Sequence, residues 1–213
     1  MGAICSRSIF VFLLLFTIHF ANLEAQCDRA RDSLVLIDIF ESNPQSQALL
    51  NWDLAGSPID EWTGIRLNTE GCIQELDLIN KSIDTLPQTI GLLQSLILFR
   101  LRDNQIAYLP EGIFDLERLS FLGLNNNALI DLPQNISSKS GLQNFEIANN
   151  DLTILPDSIV NLKKLNWLIA HDNDLTSLPT TIGRLSNLFL LSLDNNSLSS
   201  LPVSYTHLRA HET

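Results

Sequence analysis

Basic residues are in short supply. The 213-residue chain holds 13 Lys+Arg against 24 Asp+Glu, a formal net charge of −11. A face that neutralises phosphates needs the opposite balance, so the composition argues against nucleic acid as a partner. Histidine is scarcer, at four residues. His19, His207 and His211 fall in terminal segments, leaving His171 in "IAHDNDL" beside Asp172. A general base needs a positioned nucleophile and an orienting partner. The spacing around His171 supplies neither, so a solvated inner-face histidine is expected. The glycines form no G-x-x-x-x-G-K phosphate loop, no kinase motif is present, and no cluster of His and Cys has metal-ligand spacing. The sequence thus predicts no catalytic residue, no metal site and no cofactor. Charged residues make up only 17% and hydrophobic ones 45%, which suits one sizeable core and not a disordered chain.

Cysteine is limited to Cys5, Cys27 and Cys72. Cys5 lies in "MGAICSRSIFVFLLLFTIHFANLEAQC", where Arg7 precedes an apolar run from Ile9 to Phe20 and Ala25 offers a small residue for cleavage. This is a signal-peptide pattern over residues 1–25. Its run is shorter than the ~20 residues of a membrane-spanning helix. The expected location is secreted, or the extracellular side of the plasma membrane. In an oxidising compartment Cys27 and Cys72 either pair or remain as two semi-buried thiols.

Repetition dominates the rest. Leu-Pro recurs at Pro87, Pro110, Pro133, Pro156, Pro179 and Pro202, always 23 positions apart. Asn104, Asn127, Asn150, Asn173 and Asn196 keep the same interval, with Lys81 in that place in the first unit. Each unit reads L-x-x-L-x-L-x-x-N-x-L-x-x-L-P-x-x-I-x-x-L, as in "LILFRLRDNQIAYLPEGIFDL" from Leu96 to Leu116. Alternating apolar residues such as Phe99 and Leu101 point inward from a short strand. The asparagines can satisfy backbone groups of adjacent turns in a buried ladder. Pro110 fixes an extended backbone, and Ile113 and Leu116 pack the outer side. No unit can bury its apolar face alone, so the units must stack. Ala170 in place of a strand leucine predicts an underpacked spot. Lys139 in place of the convex leucine predicts a looser third unit.

The columns resemble the leucine-rich repeat family. That resemblance implies an α/β repeat solenoid: a horseshoe with parallel strands on the concave face and an α-helical N-terminal cap. Six repeats would occupy 73–202 and the cap 26–72. In the cap, a helix is expected from Asp28 to Phe40, ending near Asn43-Pro44, followed by Trp52 and the "DEWTGIRLN" strand. The cap resembles those of secreted and receptor-type members, although the plant-receptor L-x-G-x-I-P turn is here plain L-x-x-L-P.

The segment "VSYTHLRAHET", residues 203–213, resembles the translation of a common sequencing adapter. Tyr205 and Leu208 fall on the Ile and Leu columns, and His207 and His211 stand i, i+4, yet the repeat and metal readings are both set aside for an adapter-derived tail. On that reading the native chain is cut within its sixth repeat.

The expected function is binding. Three columns face the concave side: Glu75, Leu98, Phe121, Asn144, Trp167 and Leu190; then Asp77, Arg100, Gly123, Glu146, Ile169 and Ser192; then Ile79, Arg102, Asn125, Ala148, His171 and Asp194. Phe121, Trp167 and Leu190 make an apolar stripe of interface-forming type, or a strand edge partly covered by neighbours. Arg100 and Arg102 either receive a carboxylate or sulfate of a ligand or form salt bridges to Asp77 or Asp103. Sequons begin at Asn80, Asn135 and Asn195, with Asn135 on the convex turn. The leading expectation is an extracellular module, not an enzyme, that binds a protein, peptide or glycan on its concave face. Alternatives are the truncated ectodomain of a membrane receptor, such as a receptor kinase, a structural or adhesive wall protein, and a cytosolic scaffold.

Overall fold

A computed structural model describes residues 28–54 and 57–207. The expected signal segment, Cys27 and His211 lie outside the described residues.

The chain enters through helix α1 (Arg29–Ser42), capped by Asp28, whose carboxylate accepts from the backbone N–H of Ala30 and Arg31. An Asp at this place satisfies amides that have no helical partner. The helix outlasts its apolar spacing by two residues and stops where Asn43-Pro44 forbids another turn. Val35, Leu36 and Ile39 close the end of the core. Asp32 is buried too, and its carboxylate accepts the amide of Ile73, the first residue of the first repeat, at 2.9 Å. A short helix α2 (Gln47–Leu50) follows. Trp52 then stacks between Phe40 and Trp62, with ring centroids 6.5 and 5.4 Å away. Both indole N–H groups donate to backbone carbonyls, of Thr63 and Ser57 respectively.

Seven strands form one sheet in sequence order. They are β1 (Ile65–Leu67), β2 (Ile73–Asp77), β3 (Leu98–Arg100), β4 (Phe121–Gly123), β5 (Asn144–Glu146), β6 (Trp167–Ile169) and β7 (Leu190–Ser192). β1, from the cap, pairs antiparallel with β2, and every later pair is parallel. The register advances by one repeat per strand: Glu75 opposes Leu98, then Phe121, Asn144, Trp167 and Leu190. A period of two sends the middle residue of each strand inward. Leu76, Phe99, Leu122, Phe145, Leu168 and Leu191 are accordingly closed to solvent.

On the outer side the chain returns through 3₁₀ turns at Gln88–Leu92, Glu111–Asp115, Asp157–Asn161, Ile182–Arg184 and Val203–His207. Pro87, Pro110 and Pro156 precede three of them at φ between −69° and −66°. The third repeat forms no such turn. Its convex leucine is Lys139, which is exposed and anchors nothing in the core. Ala170 is fully buried within the continuous core. Tyr205 sits on the isoleucine column and packs against that core, with Ser204 Oγ donating to the carbonyl of Thr180 at 2.6 Å.

Candidate functional site on the strand face

Five asparagines hold the site's frame. Asn104 Nδ2 donates to the carbonyls of Leu78 and Leu101, both at 2.8 Å, while its Oδ1 accepts from the amides of Lys81 and Ile83. Asn127, Asn150, Asn173 and Asn196 repeat the arrangement one turn further on each time. Each side chain therefore links two turns through otherwise unpaired backbone groups. In the first unit Lys81 reaches instead to the carbonyl of Leu49 at 2.7 Å. Asn43 from the cap serves the neighbouring turn, accepting from the amides of Asp84 and Thr85 and donating to the carbonyl of Thr85.

A second column was not singled out from sequence. Asn80, Asp103, Asn126, Asn149, Asp172 and Asn195 all have positive φ, between 53° and 59°. Asn and Asp tolerate this left-handed backbone better than other residues with a side chain. The tight exit from every strand thus explains why each repeat has Asn or Asp there. Several of these side chains also join neighbouring turns: Asn149 Nδ2 donates to Asn126 Oδ1 at 2.9 Å, and Asn195 Nδ2 to Asp172 Oδ1 at 2.7 Å. The Asn195 sequon is thereby engaged, whereas Asn135 is exposed on the convex turn.

The strand register brings the three expected concave columns together on one face. Its N-terminal part is charged but internally compensated. Arg100 lies 3.6 Å from Glu75 and 3.9 Å from Asp77, Arg66 lies 2.9 Å from Glu75, and Arg102 lies 3.2 Å from Asp103. The two arginines are thus held by neighbouring carboxylates. These pairs are half exposed and contribute little to stability, but they lower the positive potential open to a ligand.

Phe121 is not a projecting anchor. Its ring lies against Gly123, where an added Cβ would meet the ring at 2.9 Å, and the Arg100 guanidinium sits 5.9 Å from the ring centroid. Gly123 thus leaves the space that Phe121 fills. Leu98, half-buried, continues this surface. Asn144 follows as a lower step, and Glu146 accepts from Asn125 Nδ2 at 2.9 Å.

Trp167 is the most exposed aromatic group on the face, at 43%, with Ile169 and Leu190 half-buried beside it. Towards the strand ends, His171 Nδ1 is 2.6 Å from Asp172 Oδ2. The Asn195 amide and then the His171 ring hold the Asp172 carboxyl below its usual value. Asp172 supplies the orienting partner that spacing alone did not reveal. Chemically, the face offers a flat indole, aliphatic neighbours, and the carboxylates of Glu146 and Asp194 with no Lys or Arg on β4 to β7.

Near the cap, Cys72 is buried and disulfide-bonded, while Cys27, its expected partner, lies outside the described residues. Among the described residues no helix is long and apolar enough to cross a membrane, and no group of acidic, His and Cys side chains is arranged to hold a metal.

No protein-family model matches the chain, and no curated protein does. Several solved structures are similar. A leucine-rich repeat protein of Leptospira interrogans is 32% identical over 65% of this chain and 37% of its own, with a TM-score of 0.57. The plant peptide hormone receptor RGFR1, solved in complex with RGF2, is 32% identical over 71% of this chain and 29% of its own, with a TM-score of 0.60. The BIR3–SERK2 complex of Arabidopsis thaliana gives 27% identity, 85% of this chain, 93% of the matched chain and a TM-score of 0.57. The chain therefore spans about a third of the first two of these neighbours. With the repeat columns, the parallel sheet and these likenesses in agreement, the chain is a leucine-rich repeat protein with an α/β solenoid fold.

Proposed function

We propose that this protein is an extracellular recognition module that binds a protein or peptide on its concave face, centred on Trp167. The single observation that carries this reading is a large indole left 43% exposed on a parallel sheet, between Ile169 and Leu190. A solvated tryptophan on a rigid scaffold is a typical interface anchor, because it brings much area at little entropic cost. The likeness to a plant peptide hormone receptor solved with its peptide supports a peptide-sized partner. Glu146 and Asp194, with no basic residue on β4 to β7, favour a ligand carrying positive charge near its apolar anchor. The signal-like segment supports the extracellular placement, and Asn135 is the best-placed acceptor for a glycan. Binding is the whole proposed activity, with no catalytic step.

The test is selection from a random displayed peptide library on the native protein, followed by calorimetric titration of the winners. Trp167→Ala should weaken them at least tenfold, and Glu146→Gln should selectively weaken basic ones. Winners that bind Trp167→Ala undiminished would move the site elsewhere.

A second reading, the ectodomain of a larger membrane receptor, draws on the same receptor, of which this chain spans only 29%. Extending the transcript from the codons of "LSLDNNSLSSLP" tests it, and also tests the adapter origin proposed for residues 203–213. A downstream apolar run of ~20 residues would support the receptor. Repeats leading to a stop codon would favour the secreted form.

A further inference from the structure

A second surface lies on the flank where the chain leaves the strands, beyond both asparagine columns. Tyr108 is 66% exposed, Ile130 48% and Ile154 44%. They belong to three successive turns, and the amide of Ile130 donates to the carbonyl of Ala107, the residue before Tyr108, at 3.2 Å. Tyr108 and Ile154 share one column of the repeat with Asp131 between them, and Ile130 stands one residue earlier; with consecutive turns ~4.8 Å apart, the three make a staggered apolar strip around that carboxylate. The fold does not call for apolar residues there. The equivalent places hold Asp84 and Thr85 in the first unit, Thr176 and Ser177 in the fifth, and Ser199 and Ser200 in the sixth. Those units stack equally well. Exposed apolar groups gathered on three adjacent turns, at places where the first, fifth and sixth units hold polar residues, are a mark of an interaction surface.

The charge around the strip is one-sided. Glu111, Asp131, Asp151 and Asp157 surround it, and over the stretches from the positive-φ residue to just past the Leu-Pro pair, Lys81 is the one basic residue, with its ammonium on the carbonyl of Leu49. The turns that lead into the strands carry Arg118, Lys139, Lys163, Lys164 and Arg184 against Asp115 and Glu117, so basic residues outnumber acidic ones there. Segregation of this kind steers a partner to one side.

We propose that this flank docks a segment of another protein that presents apolar side chains bracketed by Lys or Arg. A second copy of this chain is disfavoured as occupant, because two like faces would oppose their carboxylates. The surface is separate from the concave face and needs no ligand there.

The experiment uses the intact protein and two labelled probe peptides, an amphipathic one of leucine and lysine and its leucine–glutamate counterpart, followed by fluorescence anisotropy. The Leu–Lys probe should bind, more weakly as salt rises, and the Leu–Glu probe should not. Tyr108→Ser combined with Ile130→Ser should weaken binding at least tenfold. Asp131→Asn with Asp151→Asn, which leaves the apolar strip untouched, should weaken it severalfold and flatten the salt dependence. Both flank losses should persist in the Trp167→Ala background, which removes any share of the probe held by the strand face. All these positions are exposed or half-exposed, and circular dichroism checks that each variant is folded. The proposal is overturned if the Leu–Lys probe fails to bind, if both flank variants bind it as the native protein does, or if Trp167→Ala alone abolishes binding. It is equally overturned if sedimentation shows native self-association that Tyr108→Ser removes, since the occupant is then a second copy.

Discussion

Asn150 shows how one side chain can decide whether two turns stay joined. Its amide donates to the carbonyls of Leu124 and Ile147, its oxygen accepts from the amide of Leu129, and the residue is buried. Alanine here strands buried backbone groups, each of which costs about 1–3 kcal/mol when unsatisfied. Urea unfolding of Asn150→Ala should show a loss of about 2–4 kcal/mol, whereas Asn196→Ala, in a half-exposed turn, should cost less. Asp32 gives a different signature. Burial raises its carboxyl above the ordinary value of 3.8, while the Ile73 amide opposes the rise. A raised folded value means that the favourable contribution is complete below the unfolded value and declines as pH rises through the folded one. Asp32→Asn, which can still accept from Ile73, should therefore gain on the native protein between pH 4 and neutrality in paired urea melts. A constant difference across that range would refute the assignment. The ladder asparagines were legible in the sequence because they repeat every 23 positions. Asp32 and Asn43 were not, since a single polar residue in a cap shows its burial only after the helix has docked. The positive-φ column was equally periodic, but its backbone role emerges only once each strand is seen to end in a sharp exit.

At the scale of elements, the third convex turn stands apart, because it forms no 3₁₀ turn and carries an exposed lysine. Four other repeats place a buried Ile in a 3₁₀ turn and a buried leucine just after it, and here Lys139 replaces that leucine. Lys139→Leu should raise stability by about 1 kcal/mol through restored apolar burial. Hydrogen exchange in the native protein should be faster across 134–141 than across the matching stretch 157–164. Equal protection in the two stretches would show that the turn is held by other means. The inward strand positions were legible in the sequence, because each depends on a single column of the repeat. The sequence left Phe121 open between an anchor and a covered strand edge, and the ring lies on Gly123. That outcome depends on two residues of one strand whose side chains share a face, a relation that a single column does not display.

The whole molecule is a stack with chemically distinct sides: an amphipathic strand face, an acidic flank with an apolar strip, and a side leading into the strands where basic residues outnumber acidic ones. The parallel stacking and the inward strand positions were readable from the 23-residue period. Which parts of each face remain open was not, because that depends on ion pairs and ring placement across neighbouring turns. Arg100 and Arg102 show both halves of this: their pairing with Asp77 and Asp103 was one of the two readings the sequence offered, whereas the sharing of Glu75 between Arg66 and Arg100 was not visible in it.

The central claim is that the strand face around Trp167 receives the ligand, and the protein carries its own probe for it. Of its three tryptophans, Trp52 and Trp62 are about 5% exposed and stacked in the cap, while Trp167 is open. Acrylamide quenching of the native fluorescence should therefore report Trp167. With a library-selected peptide at saturation, quenching should fall towards that of Trp167→Phe, in which only the cap indoles emit. Unchanged quenching with the peptide fully bound would contradict the account and place recognition on another side of the stack.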